Sequence, residues 1–134
     1  MLTKTVSMPL FVMLPRKTMA DKKAIINLNN YRNWSFFLSN DIKKLYAAEA
    51  KPKLEGVKFG LPVKLTFKLW KKTKRLTDRA NVLCIHEKAF CDAMVQFGCI
   101  PDDNDEFIVS TKYITGGIDR ENPRVDITMQ EAEV

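Results

Sequence analysis

Between Gly98 and Phe107 the chain runs GCIPDDNDEF, which places Asp102, Asp103, Asp105 and Glu106 within five residues of one another. Carboxylates at that density suit a hard cation, whose oxygen ligands they are. A second group precedes it: Asp78, Asn81, Lys88 and Asp92. On a helix that advances roughly 100° per residue, Lys88 and Asp92 lie within about 20° either side of Asn81 and form one narrow polar row. Such a row beside a buried face is how a helix lines a cleft. The plainer alternative is a surface Lys88–Asp92 pair at i,i+4, worth only a few tenths of a kcal/mol.

The acidic residues stand out because the 134-residue chain is basic, with 22 Lys+Arg against 16 Asp+Glu. The charges are also unevenly spread: residues 1–77 hold 17 Lys+Arg and 4 Asp+Glu, residues 78–134 hold 5 and 12, so the halves carry +13 and −7. One surface that grips a polyanionic backbone and another that binds a cation would produce this separation; plain solubility charge need not. The length fits one domain, residues 1–134, with enough apolar residues for a core. No apolar run approaches the roughly 18 residues of a membrane span, and Lys4, Ser7 and Pro9 interrupt the apolar N-terminus, so a cytoplasmic protein with no membrane partner is expected. Cys84, Cys91 and Cys99 are an odd number, which favours reduced thiols over a disulfide framework.

The elements that must position these residues follow from periodicity. Met8 to Leu14 and Ala24 to Leu28 are short apolar runs around a basic turn, and suggest two strands, or one strand and an extended arm. From Trp34 an amphipathic helix buries Phe37, Leu38, Ile42, Leu45, Tyr46 and Ala48, leaves Lys43 and Lys44 outward, and stops at Pro52. LPVKLTFKLW alternates as a half-buried strand with Lys64, Thr66 and Lys68 on its outer face. A second helix starts at Thr77 or Asp78 and ends near Phe97, stopped by Gly98 and Pro101. Phe107 to Ile114 and Val125 to Met129 make two more strands, joined through the turn-rich TGGIDRENP. Asp126 points outward on an apparent edge strand, in a structural or solvated role.

The ordered series KKTKRLTDRANV, KAFCDAMVQFG, IPDDN and NPRVDI resembles the RusA family of Holliday junction resolvases, small phage and prophage endonucleases. The resemblance covers Lys71 to Ile127, with support from LNNYRN at Leu28 to Asn33. It implies an α+β fold in a single domain with a small mixed sheet and two main helices, an intimate homodimer, and Mg²⁺-dependent cutting of four-way DNA junctions in a bacterial host cytoplasm. Asp78, Asn81, Lys88, Asp102 and Asp103 match the family's motif residues, whereas Ala80 stands where compact members carry a second Asp. On this basis Asp78 and Asp103 are expected as metal ligands brought together over the row of Asn81, Lys88 and Asp92. Asp92 or Asp102 is the supplementary carboxylate, and Lys88 positions the scissile phosphate.

Arg16, Lys17, Lys64, Lys68, Lys71, Lys72, Lys74 and Arg75 are the candidate DNA-phosphate contacts, with Asn81 at the same surface. Asp105 and Glu106 are expected in a solvated turn. His86 with the three cysteines lacks the paired spacing of a zinc site, so a packed histidine is expected. Trp34 and Phe37 fit core packing by phase, which leaves Phe36 open as a base-stacking group. Two rival functions remain: a branched-DNA-binding or regulatory protein that does not cleave, and a protein-interaction module that uses the two charged faces.

Overall fold

The computed structural model describes residues 1–133 and is α+β. In chain order it contains β1 (Thr3–Pro9), β2 (Phe11–Leu14), β3 (Lys22–Ile25), α1 (Leu28–Tyr31), α2 (Phe36–Leu54), β4 (Val63–Lys71), α3 (Arg79–Gln96), β5 (Ile108–Ile118) and β6 (Arg124–Glu131). Four strands form one mixed sheet in the order β1-β6-β4-β5, and β2 and β3 form a separate antiparallel ribbon. Among the described residues, no helix is long and apolar enough to cross a membrane.

Alternation makes β4 the centre of the core. Val63, Leu65, Phe67 and Leu69 are all buried, and the last three lie opposite Met129, Ile127 and Val125 of β6. Val6 and Met8 extend the same face onto β1. The alternate residues Lys64, Thr66 and Lys68 occupy the opposite, wetter face, as the sequence pattern requires. Since β4 and β5 are parallel, their connection must cross the sheet, and α3 is that crossover.

Asp78 caps α3, with its Oδ1 accepting from the Ala80 amide at 3.1 Å, and Gly98 ends it at φ 77°. Leu83, His86, Phe90 and Met94 form its buried face. Helix α2 overruns its expected stop, because Pro52 lies on the exposed side of the last turn, where the carbonyl left without its donor is not forced into the core. Trp34 is half-buried, edge-on to Tyr31. Phe37 departs from the expected core packing: it stands exposed beside Phe36, because the buried face of α2 is set by Ile42, Tyr46, Ala50 and Leu54.

TGGIDRENP is only partly a loop. β5 continues through Gly116 and Gly117, and the connection proper is residues 119–123, where the Asp119 amide donates to the Lys71 carbonyl at 2.8 Å. Gly116 is needed for a close approach: a Cβ there would lie 2.7 Å from Trp70 Cε2. Trp70 is itself fixed by an Nε1 bond to Asp126 Oδ2 at 2.9 Å and by the Arg124 guanidinium over its ring. β6 lies between β1 and β4, so Asp126 is not on an edge strand; it also accepts from Ser7 Oγ and Arg124. At the far end of β6 the Glu131 carboxylate accepts from the amides of Leu2, Gly60 and Leu61, and the first two hold its carboxyl below the usual range.

The packed histidine is present. His86 Nδ1 lies 3.0 Å from Tyr46 Oη between α2 and α3, and Nε2 is buried with no partner among the described residues. Burial lowers its pKa to about 3. Cys84, Cys91 and Cys99 are free thiols.

Two outcomes follow. Gly116→Ala should lower unfolding free energy by about 1–3 kcal/mol in urea titration, because Trp70 must leave its place. For His86, the unfolded chain takes up a proton below pH 6.5 while the folded imidazole stays neutral down to about 3. Stability is therefore flat in this group above pH 6.5 and falls as the pH drops through that window. Thermal melts from pH 8 to pH 4 should show a steeper acid loss for the wild type than for His86→Gln.

Candidate nucleic-acid interface

Helix α3 carries its polar groups in a graded order along one side. Asn81 is half-buried and donates through Nδ2 to Asn29 Oδ1 of α1 at 3.3 Å, which docks the LNNYRN segment beside the helix start. Arg79 donates to Thr115 Oγ1 of β5 at 3.2 Å. Further along, Lys88 and Asp92 are exposed. The ion pairs among the described residues are Lys51–Glu55, Lys53–Glu49, Arg124–Asp119 and Arg124–Asp126, so the surface-pair alternative for Lys88 and Asp92 is not what forms. Ala80 is already helical while Asp78 is the cap, so their side chains diverge rather than share a side as an extended i,i+2 pair would.

The acidic loop is solvated from Asp102 to Glu106. Asp102 braces it by accepting from the Asp103 amide at 2.8 Å and from Asn104 Nδ2 at 3.3 Å. Asn104 Oδ1 accepts from the Glu106 amide, so the turn holds Asp103 outward. Burial pushes the Cys91 thiol up to about 12, and the charges of Glu87, Asp103 and Asp92 add to the shift. Glu87 was not singled out from the sequence. It lies about 120° round the helix from Asn81, on the flank that meets β5, where it accepts from the Tyr113 hydroxyl at 2.5 Å.

The expected convergence of Asp78, Asp102 and Asp103 within one chain does not occur. Asp78 acts on Cys84, near the start of α3, whereas Asp103 acts on Cys91. From Asp78 to Cys91 is thirteen residues, roughly 20 Å of helix at about 1.5 Å each. Ligands of one Mg²⁺ sit at about 2.1 Å from it. Among the described residues, no three of His, Cys, Asp and Glu are gathered closely enough to hold a metal ion. The physical reason is topological: β5 returns alongside α3, but the acidic loop precedes β5 and stays at the far end of the helix.

The basic residues divide into three groups. Lys64 and Lys68 lie on the wet face of the sheet, with Lys112 paired across from Thr66. Lys72, Lys74 and Arg75 are exposed in the segment between β4 and α3, and Lys71 folds back to donate to the Arg75 carbonyl at 3.0 Å. That segment walls a cavity of about 170 Å³ whose apolar floor includes Leu10, Ile26, Leu69 and Val82. Arg16 and Lys17 are exposed on the turn between β2 and β3, where Arg16 Nε donates to the Ala20 carbonyl. Since β4 spans nine residues, the basic segment at its end and the acidic loop beside its start are held roughly 30 Å apart.

Asp78 thus has a structural duty whatever its chemistry. Asp78→Ala should cost about 1 kcal/mol in chemical denaturation through loss of the cap, and Asp78→Asn less than about 0.5 kcal/mol, since Asn caps as well as Asp. The Asn variant is therefore the one that reports on chemistry. In comparisons with known proteins, the chain matches no protein-family model and no curated protein.

Proposed function

We propose that the chain is a structure-selective endodeoxyribonuclease that cuts four-way DNA junctions as a Mg²⁺-dependent homodimer. The observation that carries this reading is the placement of an unpaired basic end and an acidic loop at opposite ends of α3, with exposed Lys88 and Asp92 between them. Among the described residues of a single chain, no three carboxylates are gathered closely enough to hold a metal ion. Two copies of α3 running antiparallel across a two-fold axis would set Asp78 of one protomer beside Asp102 and Asp103 of the other. The same symmetry matches a nearly two-fold junction that needs two cuts.

In that arrangement the basic segment grips phosphates by charge, and Lys88 meets the scissile phosphate as a point cation where negative charge develops. The carboxylates from the two ends of α3 form the donor set. A bound Mg²⁺ supplies charge stabilisation of the phosphoryl group and an activated water. Ala80 favours a second reading, a junction-binding protein that does not cleave, because helical position 80 contributes no carboxylate.

The test is subunit mixing. Asp78→Asn and Asp103→Asn homodimers should each lose at least about 100-fold in Mg²⁺-dependent cleavage of a labelled four-way junction. When the two are co-refolded, half of each mixed dimer is intact, so nicking should return. Failure to rescue would refute the shared site, and a wild type that binds the junction without nicking it would select the second reading.

A further inference from the structure

Two phenylalanines open α2 into solvent: Phe36 is 74% exposed and Phe37 is 78% exposed. Their rings touch edge to face, with centroids 5.8 Å apart and planes 78° apart. Large apolar side chains left in water as a contiguous pair mark an interaction site more often than a lone exposed residue does. The backbone beneath them is fixed. Ser35 caps the helix by accepting from the Leu38 amide at 3.1 Å, and Trp34 and Leu38, on either side, pack against the core.

Their position says what they face. Helices α2 and α3 run side by side in the same direction, since Tyr46 meets His86 and, further on, the Cys99 thiol reaches the Leu54 carbonyl. Asn81 near the start of α3 bonds to Asn29 of α1, which leads directly into α2, so Phe36 lies at the same end of the two helices as the segment before Asp78, where Leu76 is 95% exposed. This is the basic end of the molecule, away from the acidic loop. Arg32, Lys72, Lys74, Arg75 and Arg79 are exposed at that end, and none is paired with a carboxylate among the described residues. A two-fold contact centred on this corner would set these cations against their own images, and in the antiparallel dimer proposed above the partner meets α3 rather than the head of α2. Unpaired cations beside free aromatic faces instead fit a strand whose phosphates and bases are both available.

We propose that Phe36 and Phe37 form a corner that receives a DNA base unstacked at the branch point of the junction, while Arg32 and the basic segment hold the flanking phosphates. Rings 78° apart cannot both lie parallel to successive stacked bases, so the corner takes one base, flat on one ring and against the edge of the other. This deepens the reading above and rests on it, and it makes the basic end a sensor of branching as well as of charge.

The experiment compares binding of an immobile four-way junction and a linear duplex of equal length, without divalent metal so that the DNA stays uncut. The proteins are the wild type and the Phe36 and Phe37 variants. Phe36→Ala and Phe37→Ala should each weaken junction binding about tenfold, as loss of one base–aromatic stack does, with duplex binding within about twofold of the wild type. Tyr at either position should retain junction binding, and Leu, which keeps bulk without a π face, should not. Alanine variants that bind the junction as the wild type does, Leu variants as tight as Tyr variants, or a drop in oligomeric mass on alanine substitution would each overturn the proposal. A wild type with no preference for the junction over the duplex would overturn the nuclease reading too. A preference that survives both alanine substitutions would overturn this proposal alone.

Discussion

The buried contact between Tyr46 and His86 is the constraint on which the arrangement of the surface depends. It sits where α2 crosses the middle of α3, and it costs too much to break for the helices to slide: a shift of one turn would leave a hydroxyl and an imidazole unpaired in the core. Held in register there, the helices bring their starts level, so α1, the head of α2 and the segment after β4 share one end of the molecule. The His86 imidazole stays neutral because any charge in that layer would be desolvated without a partner. The polar contact between the helices therefore aligns them without adding a buried charge.

Charge segregation follows from the same frame. β4 carries the chain from the acidic end to the basic end and α3 carries it back, so residues separated by one helix in the sequence are separated by the length of the domain in space. Within one chain this holds the cations of the basic segment apart from the carboxylates 30 residues later. Among the described residues the surface ion pairs are few: two sit on α2, and the Arg124–Asp119 and Arg124–Asp126 pairs sit beside Trp70 and Lys71, where β4 enters the basic segment. Opposite charges at this distance are screened from one another at ordinary ionic strength.

Much of this was legible from local pattern. The alternation in Val63 to Leu69, the Asp78 cap and the Gly98 stop are decided by neighbouring residues, so the sequence displays them. The exposure of Phe37 was legible by angle and overlooked: at roughly 100° per residue it lies about 140° round α2 from Ile42 and about 180° from Tyr46, opposite the face that Ile42, Tyr46, Ala50 and Leu54 bury. Gly116 and Gly117 carry the composition of a turn, yet Gly116 is required by Trp70, more than 40 residues earlier in the chain. The separation of Asp78 from Asp103 depends on where the acidic loop lies relative to β5. Nothing in either motif encodes that.

The pairing of β1 with β6 has a consequence for how the chain acquires this structure. Among the described residues β1 has no sheet neighbour other than β6, with Thr3 opposite Gln130, and β6 is the strand between β1 and β4. The first strand made must therefore wait for the last, and until β6 exists Val6 and Met8 have no sheet to join, while β4 has only β5. The Glu131 carboxylate, which gathers the amides of Leu2, Gly60 and Leu61, can close this corner only at the end. Folding is thus dominated by one long-range closure, slow for the size of the domain and completed after synthesis of the sheet's final strand.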